Sequence, residues 1–277
     1  MKYILSAAVV LTAAGIFARY RFGMRPVNSD QKIYEEEKKI VRIPFGDRQI
    51  YGELLSPKGK KAKTLIIGSH GFNGSYIYFR QALGHLLSQE GYALYAFDFF
   101  NGSRRSRSGG VIEKMSALEE TKQLIAVLRY FEKDYENVIL AGESQGGLVS
   151  TLAFGQIKDR VKALILYYPA YCAVSDAVKR YEAGNTHELF GIHFVSDYTK
   201  ELISIDLDEA IRKIDVPCLL IHGDSDRTVD VAYAKKAKQL NPKIELHILA
   251  GKDHGFDQEG RVAAGTYVHD FLIRNGL

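Results

Sequence analysis

Residues 138–147 read Val-Ile-Leu-Ala-Gly-Glu-Ser-Gln-Gly-Gly and decide the fold. The first four residues form an apolar run that predicts a buried strand. A helical pattern begins at the glycines and continues to Phe154. Glycine on each side of Ser144 permits a strained turn in which no Cβ crowds the serine. The stretch therefore predicts a strand, a sharp turn and a helix, with the Ser144 hydroxyl exposed at the end of the strand.

Apolar runs of the same kind recur along the chain, at residues 64–69, 93–99, 137–141, 163–168, 218–221 and 245–249. Helical patterns lie between most of them, as at residues 115–132, 229–240 and 261–275. Strands that alternate with helices indicate a parallel sheet covered on both faces. A hairpin at residues 39–45 and 49–55 precedes this alternation. We therefore predict an α/β fold with a mostly parallel central sheet, and ligand sites at the carboxyl ends of its strands.

Residues 171–205 interrupt the alternation and are too long for a plain loop in a compact domain. We expect a small inserted cap, because loops at strand carboxyl ends tend to carry function. Its aromatic residues would form a wall of the site, with Tyr171, Phe190 and Phe194 as substrate contacts. The alternative is an extra helical pair that only packs on the sheet edge. No linker or repeat is visible, so residues 30–277 are predicted to be one domain that contains this insertion.

The composition is that of an ordinary globular protein, since the 277 residues are 46% hydrophobic and 25% charged. These values argue against a disordered, collagen-like or multi-span membrane protein. Two cysteines are too few for a disulfide framework. The net charge of +4 resides in residues 1–29, which contain four basic residues and no acidic one. Residues 30–277 hold 33 basic and 33 acidic residues, and this balance argues against nucleic-acid binding.

Residues 3–18 form an uncharged and mostly apolar run that three arginines follow. As a helix the run would be about 24 Å long, shorter than the hydrocarbon core of about 30 Å. We expect an uncleaved anchor that associates the protein with a membrane. A cleaved signal, with secretion of the protein, and a soluble helix that packs on the domain are the alternatives. The arginines favour the cytoplasmic face, but the charges on the two flanks are nearly equal and leave the side open.

A serine hydroxyl is a weak nucleophile that needs a base, and a third group must orient that base. His254 directly follows the strand predicted at residues 245–249, and Asp226 follows the strand that ends at Ile221. Both therefore lie at the same edge of the sheet as Ser144, in the chain order Ser, Asp, His that this turn requires. We predict Ser144 as the nucleophile, His254 as the base and Asp226 as the acid that orients it.

Other residues compete for two of these roles. Asp224 and Asp230 lie close to Asp226 along the chain, but Asp226 has the better distance past the strand. His222 ends a strand and is interpreted as a hydrogen-bonded core histidine. The remaining histidines have no partner motif and are interpreted as structural or surface residues.

A tetrahedral intermediate needs two hydrogen-bond donors for its oxyanion. The backbone N–H of Gln145, directly after the nucleophile, is the first candidate. The second is the N–H of Phe72, in the loop Ser69-His70-Gly71-Phe72-Asn73-Gly74 that follows a predicted strand. Gly71 allows the backbone to approach closely, and His70 is interpreted as a brace for the loop.

With these residues in place the sequence resembles an α/β-hydrolase, of the group that includes serine aminopeptidase-like hydrolases and feruloyl or cinnamoyl esterases. The ordered motifs that carry the resemblance span about residues 40–275 and are His70-Gly71-Phe72, Phe97-Asp98-Phe99, Gly142 to Gly147, His222-Gly223-Asp224-Ser225-Asp226 and Asp253-His254-Gly255-Phe256. Two places depart from the family pattern. Glu143 stands where relatives often have histidine, and residues 98–107 replace a commoner Gly-His-Gly loop.

The resemblance implies a serine hydrolase that cleaves a small or medium carboxylic ester through an acyl-enzyme. It implies no cofactor and no metal, and a small-molecule ester as the partner. A peptidase, thioesterase or acyltransferase with the same triad is the alternative, as is a non-catalytic anchored binding protein. Arg107, in a cluster after a strand end, could attract an acidic ester, although such a run is more often a solvated loop. The sequence carries no signal for an oligomeric state.

Overall fold

The computed structural model describes residues 34–80, 83 and 91–277. The apolar run at residues 3–18 lies outside the described residues, so the predicted anchor or signal stays a prediction. Across the described part of the chain, no helix combines the length and apolar character that a membrane span requires.

Eight strands form one sheet in the part of the chain that the structure describes, in the order β1-β2-β4-β3-β5-β6-β9-β10. The strands, with the separate hairpin β7-β8, are β1 Glu36–Phe45, β2 Arg48–Pro57, β3 Thr64–Ser69, β4 Ala93–Phe97, β5 Asn137–Glu143, β6 Ala163–Tyr167, β7 Glu188–Leu189, β8 Ile192–His193, β9 Cys218–Gly223 and β10 Ile244–Leu249. Strand β2 is antiparallel to β1 and β4, and every other pair in the large sheet is parallel. The predicted mostly parallel sheet is therefore confirmed.

The described helices are α1 Ile77–Phe79, α2 Ala117–Phe131, α3 Gln145–Ile157, α4 Cys172–Glu182, α5 Tyr198–Ile203, α6 Leu207–Arg212, α7 Val231–Leu240 and α8 Gln258–Arg274. Two short 3₁₀ turns lie at Ile112–Lys114 and Lys158–Arg160. Side-chain caps start several helices. The Ser116 hydroxyl accepts from the Glu119 amide at α2, and the Asp257 carboxylate accepts from the Gly260 amide at α8.

The sheet is buried on both faces, as its continuous apolar strands predict. Along β3, Leu65 and Ile67 belong to one core cluster and Ile66 to the other. Apolar residues of α2, α3 and α7 join the first cluster, and those of α8 join the second. Helices therefore cover both faces, and the carboxyl ends of the parallel strands are left to carry the loops of the site.

Several strand ends differ from the predicted bounds by one or two residues, and two of these differences have local reasons. The strand predicted at residues 93–99 ends at Phe97, because Asp98 begins a loop and accepts hydrogen bonds from the amides of Tyr76 and Arg107. The strand predicted at residues 137–141 extends to Glu143, which still pairs with Tyr167 of β6. Ser144 is therefore the first residue after the part of β5 that pairs with β6.

Residues 171–205 contain two helices, α4 and α5, and between them the hairpin β7-β8. The segment is anchored to the first core cluster through Tyr171, Ile192, Phe194, Tyr198 and Leu202. It is thus an ordered part of the compact unit formed by residues 34–277. Its interpretation as a cap stays a prediction.

Candidate active site

Ser144 occupies a strained turn between β5 and α3. Its φ of 49° and ψ of −120° lie outside the usual regions for a residue with a side chain, and α3 begins at the next residue. A Cβ on Gly142 would overlap the carbonyl oxygen of Gly146, and a Cβ on Gly146 would overlap that of Ser69. The two glycines are therefore required by close backbone contacts, and strain of this kind is characteristic of functional sites.

The structure brings Ser144, His254 and Asp226 into one hydrogen-bonded chain. The Nε2 atom of His254 lies 3.1 Å from Oγ of Ser144. The Nδ1 atom of His254 lies 2.8 Å from Oδ2 of Asp226. An ionised carboxylate only accepts hydrogen bonds, so Nδ1 carries the proton and Nε2 is free to accept from the serine hydroxyl. In this arrangement Nε2 can remove a proton from Ser144.

Asp226 is held as a buried carboxylate. Its Oδ1 accepts from the amides of Thr228 and Val229, each at 2.8 Å, and His222 approaches its Oδ2 at 3.3 Å. Burial alone would raise the pKa of Asp226, but hydrogen bonds from His222, His254 and the Val229 amide hold it well below its usual range. Asp226 therefore stays ionised beside His254.

The competing residues have other partners. Asp224 accepts from the Gly251 amide at 2.6 Å, and Asp230 caps α7 by accepting from the Ala232 amide at 2.7 Å. His222 is fully buried, and its Nε2 lies 2.9 Å from the carbonyl oxygen of Val229. Its interpretation as a hydrogen-bonded core histidine is confirmed.

The loop after β3 lies directly against Ser144. A Cβ on Gly71 would sit 2.9 Å from the Ser144 Cβ and 3.5 Å from its Oγ, so only glycine allows this approach. Phe72 follows Gly71, and Gln145 opens α3. Within residues 34–80, 83 and 91–277, neither the Phe72 amide nor the Gln145 amide has a protein acceptor. Both amides are therefore free to bind an oxyanion.

His70 braces this loop, as the sequence predicts. Its Nδ1 lies 2.7 Å from the carbonyl oxygen of Gly71, and its Nε2 accepts from the Phe99 amide at 3.1 Å. Burial lowers the pKa of His70. The ring is therefore neutral, with its proton on Nδ1, and it donates to the Gly71 carbonyl.

The Gln145 side chain has buried partners that sequence reasoning missed. Its Nε2 donates to Oε2 of Glu120 at 2.7 Å, and its Oε1 accepts from the Tyr198 hydroxyl at 2.5 Å. Burial raises the pKa of Glu120 to about 8. The available signal was its helical spacing, which puts Glu120 on the apolar face of α2 with Ala117 and Leu124.

Glu143 is a second buried carboxyl group beside Ser144. Its Oε1 accepts from the Gly71 amide at 3.2 Å, and its Oε2 accepts from the Tyr168 hydroxyl at 3.0 Å. Tyr168 also bonds to the Tyr78 hydroxyl, and its ring lies 4.5 Å from that of His254. Burial raises the pKa of Glu143 to about 7, against the opposing effect of the hydrogen bonds from Gly71 and Tyr168.

Three of the predicted aromatic residues form one group with Tyr198. The ring of Phe72 lies 5.6 Å from Phe190 and 6.2 Å from Phe194, and Phe194 stacks on Tyr198 at 4.8 Å. Phe190 is 71% exposed, so the group opens to solvent at that residue. Tyr171 is placed elsewhere, because it is buried in the core with its hydroxyl 2.8 Å from Oγ1 of Thr151.

Arg107 contacts tyrosines instead of the triad. Its guanidinium donates to the Tyr51 hydroxyl at 2.8 Å and lies over the rings of Tyr51 and Tyr76. These contacts give the side chain a structural partner, and a role in binding an acidic ester stays a prediction. Among the described residues, no group of three or more His, Cys, Asp or Glu is placed to hold a metal ion.

Comparison with known proteins agrees with this geometry. Residues 60–191 match the family model described as serine aminopeptidase, S33. Two curated relatives from Mycoplasma are similar over part of the chain. Putative esterase/lipase 3 of Mycoplasma pneumoniae is 30% identical over 117 residues, which are 42% of this chain and 40% of the relative. Putative esterase/lipase 2 of Mycoplasma genitalium is 28% identical over 121 residues, 43% of each protein. The chain thus spans less than half the length of these relatives.

Solved structures share the fold over most of the chain. Est1E from Butyrivibrio proteoclasticus with ferulic acid bound has a TM-score of 0.71 and 22% identity, and the match covers 84% of this chain and 99% of that one. An esterase from Pyrococcus furiosus has a TM-score of 0.65 and 22% identity, covering 90% of this chain and 96% of that one. The chain thus has the α/β-hydrolase fold, and its residues 60–191 are similar to serine aminopeptidase-like hydrolases.

Proposed function

We propose that the protein is a serine hydrolase that cleaves a small or medium carboxylic ester. One observation carries the proposal: Ser144, His254 and Asp226 form a continuous hydrogen-bonded chain at the carboxyl ends of three strands. The two unpaired amides of Phe72 and Gln145 next to Ser144 support it, because acyl transfer needs an oxyanion site of this kind.

In the proposed reaction Oγ of Ser144 attacks the ester carbonyl carbon while Nε2 of His254 takes the serine proton. The negative oxygen of the tetrahedral intermediate is bound by the Phe72 and Gln145 amides. The bond to the alkoxy group then breaks, and His254 returns the proton to the leaving alcohol. His254 next deprotonates a water molecule, whose oxygen attacks the acyl carbon. The bond between that carbon and Oγ of Ser144 then breaks, His254 returns the proton to Oγ, and the carboxylic acid leaves. Asp226 stabilises the imidazolium in both halves of the reaction.

The names of the relatives favour an ester over other acyl substrates. Two are named as putative esterases or lipases, and Est1E was solved with ferulic acid. The family model is named for an aminopeptidase, which supports a peptidase as the second candidate. The aromatic group of Phe72, Phe190 and Phe194 favours an apolar acyl chain near Ser144.

The test is hydrolysis of p-nitrophenyl esters by the wild type and by Ser144→Ala, together with labelling by a fluorophosphonate probe. We expect the wild type to turn over short acyl esters and to take the label, and Ser144→Ala to do neither. Ser150→Ala is the matched control, because Ser150 is a fully buried serine of α3 whose hydroxyl has no hydrogen-bond partner among the described residues. A wild type that shows neither activity nor labelling would leave a binding protein on this fold as the explanation.

A panel of acetyl, butyryl, feruloyl and aminoacyl esters, with matched thioesters and amides, separates the candidate activities. The proposed esterase prefers oxygen esters, whereas a peptidase prefers aminoacyl amides and a thioesterase prefers thioesters. An acyltransferase transfers the acyl group to an added alcohol faster than to water.

We also infer that residues 3–18 associate the protein with a membrane. The supporting observations are the uncharged run itself and the positive charge confined to residues 1–29. Expression of the full chain and of residues 30–277, followed by membrane fractionation, tests this inference. We expect only the full chain in the membrane fraction, and its mature N-terminus distinguishes an anchor from a cleaved signal.

A further inference from the structure

We infer that Glu143 is a positioning residue that holds the Gly71 amide and thereby sets the place of the Phe72 amide relative to Ser144. The inference rests on the proposed hydrolase function and assigns a role to the residue that departs from the family pattern. Glu143 is directly bonded to Ser144 in the chain, and its side chain reaches the loop that supplies the second oxyanion donor.

Two consecutive peptide groups of that loop are each held by one side chain. The group between His70 and Gly71 presents its N–H to Oε1 of Glu143 at 3.2 Å. The group between Gly71 and Phe72 presents its carbonyl to Nδ1 of His70 at 2.7 Å and to the Gly74 amide at 2.9 Å. Because a peptide group is planar and trans, holding its carbonyl also orients the Phe72 N–H on the opposite side. His70 therefore sets the direction of the Phe72 amide, and Glu143 sets its location.

The contact spans the gap between the nucleophile and the oxyanion site. Gly71 packs against Ser144 so closely that an added Cβ would lie 2.9 Å from the serine Cβ. A hydrogen bond from this glycine to the residue before Ser144 fixes the distance between the attacking oxygen and the Phe72 amide. The position of such donors matters, since removing one from an oxyanion site lowers kcat by about 100-fold to 1000-fold.

The acceptor is itself held in place. Glu143 is 7% exposed, and its second oxygen accepts from the Tyr168 hydroxyl at 3.0 Å. Tyr168 is buried between Glu143, Tyr78 and the ring of His254. These contacts therefore fix the position of the Glu143 carboxyl group. A shorter side chain could not reach the Gly71 amide unless the end of β5 moved.

Three variants separate the position of the acceptor from its charge. Glu143→Gln keeps an oxygen at the same reach and removes the charge. Glu143→Asp keeps the charge and withdraws the oxygen by one methylene. Glu53→Asp is the matched control, because Glu53 is a buried glutamate of β2 that pairs with Arg80 and contacts none of the triad residues. Each is assayed for kcat and KM on p-nitrophenyl esters, for the affinity of phenylboronic acid and for melting temperature.

We expect Glu143→Asp to lower kcat by about 10-fold to 100-fold, a part of the loss that removal of the donor would cause, with KM changed less than threefold. The affinity for phenylboronic acid should fall in parallel, because its tetrahedral serine adduct places an oxygen in the oxyanion site. Glu143→Gln should stay within about threefold of the wild type, and Glu53→Asp should not change kcat.

A kcat of Glu143→Asp within twofold of the wild type, in a folded protein, overturns the inference and leaves the proposed function intact. A Glu143→Gln variant as slow as Glu143→Asp also overturns it, since charge and not position would then matter. A wild type that hydrolyses no ester overturns the proposed function itself.

Discussion

Arg227 and Asp253 join the two loops that carry the acid and the base of the candidate triad. Arg227 directly follows Asp226, and Asp253 directly precedes His254. The Nε atom of Arg227 donates to Oδ2 of Asp253 at 2.8 Å. Oδ1 of Asp253 accepts from the Arg227 amide at 3.0 Å and from the His254 amide at 2.8 Å. The two loops are thereby held at the distance that the contact between Asp226 and His254 requires.

The backbone contacts of Asp253 should matter more for activity than its ion pair. The Arg227 side chain is 87% exposed, and exposed ion pairs contribute little because water and salt screen them. We expect Arg227→Ala to lower kcat/KM less than threefold and Asp253→Ala to lower it about tenfold. Asp253→Asn retains an acceptor for both amides and should lie near Arg227→Ala. Equal losses of kcat/KM in Arg227→Ala and in Asp253→Ala would contradict this view.

Hydrogen bonds from the Arg227 and His254 amides and from the Arg227 side chain lower the pKa of Asp253 to about 2. The pKa of Asp253 is thus lower in the folded protein than its ordinary value. The ionised carboxylate therefore contributes to stability above the ordinary pKa, and this contribution is lost as the pH falls through the folded-state pKa. The difference in melting temperature between the wild type and Asp253→Asn should therefore be constant from about pH 5 to pH 8. Melting curves over this range test the expectation, and a difference that grows toward pH 8 would argue against it.

Gly71→Ala should abolish activity while leaving the protein folded. The added methyl group would lie 2.9 Å from the Ser144 Cβ, inside normal contact distance, so either the serine or the loop must move. We expect a loss of at least 100-fold in kcat and in the rate of fluorophosphonate labelling. Gly155→Ala is the control, since a Cβ there meets no other atom within 4 Å. Full activity of Gly71→Ala would mean that this loop does not take part in catalysis.

The placement of Ser144, Asp226 and His254 could be predicted because each follows a strand whose apolar run is plain in the sequence. Parallel strands end at one edge of the sheet, so the fold class alone collects these residues there. Their hydrogen-bond distances depend on the conformations of the loops after β9 and β10, and the spacing of residues does not determine these. The Arg227–Asp253 pair between the loops is a contact that only the folded chain reveals.

Glu120 shows the limit of reading a sequence by pattern. Its spacing puts it on the apolar face of α2, but a charged residue is ordinarily assigned to solvent. Its partner Gln145 is 25 residues away, and Tyr198 completes the contact from a different part of the chain. The contacts of the Gln145 side chain are long-range ones, whereas the oxyanion role proposed for its backbone N–H is predicted from its place directly after the serine.

Glu120 should make the protein less stable as the pH rises. Burial raises the pKa of this residue to about 8, from an ordinary value of 4.5. A group whose pKa is raised on folding makes its full contribution to stability at pH values below its ordinary pKa. This contribution is lost as the pH rises through the folded-state pKa. The free energy of unfolding should therefore decline between about pH 4.5 and pH 8, and Glu143 acts in the same direction.

Glu120→Gln removes this titration and keeps an acceptor for the Gln145 amide group. We expect the variant to melt at a higher temperature than the wild type at pH 9, with the gain shrinking toward pH 5. Glu119→Gln is the control, because Glu119 is the neighbouring residue of α2 and pairs near the surface with Arg48 and Lys122. The expectation is wrong if both variants respond to pH as the wild type does.

We expect Phe190 to contribute to substrate binding and not to the stability of the folded protein. It occupies the tip of the β7-β8 hairpin with a φ of 50°, and Gly191 follows with a φ of 70°. Positive φ at both central residues is typical of a type I′ turn, in which asparagine and glycine are preferred. A phenylalanine in the left-handed region costs about 1–2 kcal/mol, and this one is also 71% exposed. Its ring contacts Phe72, whose amide is a proposed oxyanion donor.

Phe190→Asn relieves the strain and removes the ring. We therefore expect an unchanged or higher melting temperature, together with a loss of about 3-fold to 30-fold in kcat/KM for butyryl and feruloyl esters relative to acetyl esters. Burial of apolar groups against a ring accounts for a loss of this size, since each buried methylene contributes about 0.8 kcal/mol. Val195→Ala is the control, as Val195 is 67% exposed in the same segment. If Phe190→Asn loses stability and keeps its acyl preference, the ring serves the fold and does not select the substrate.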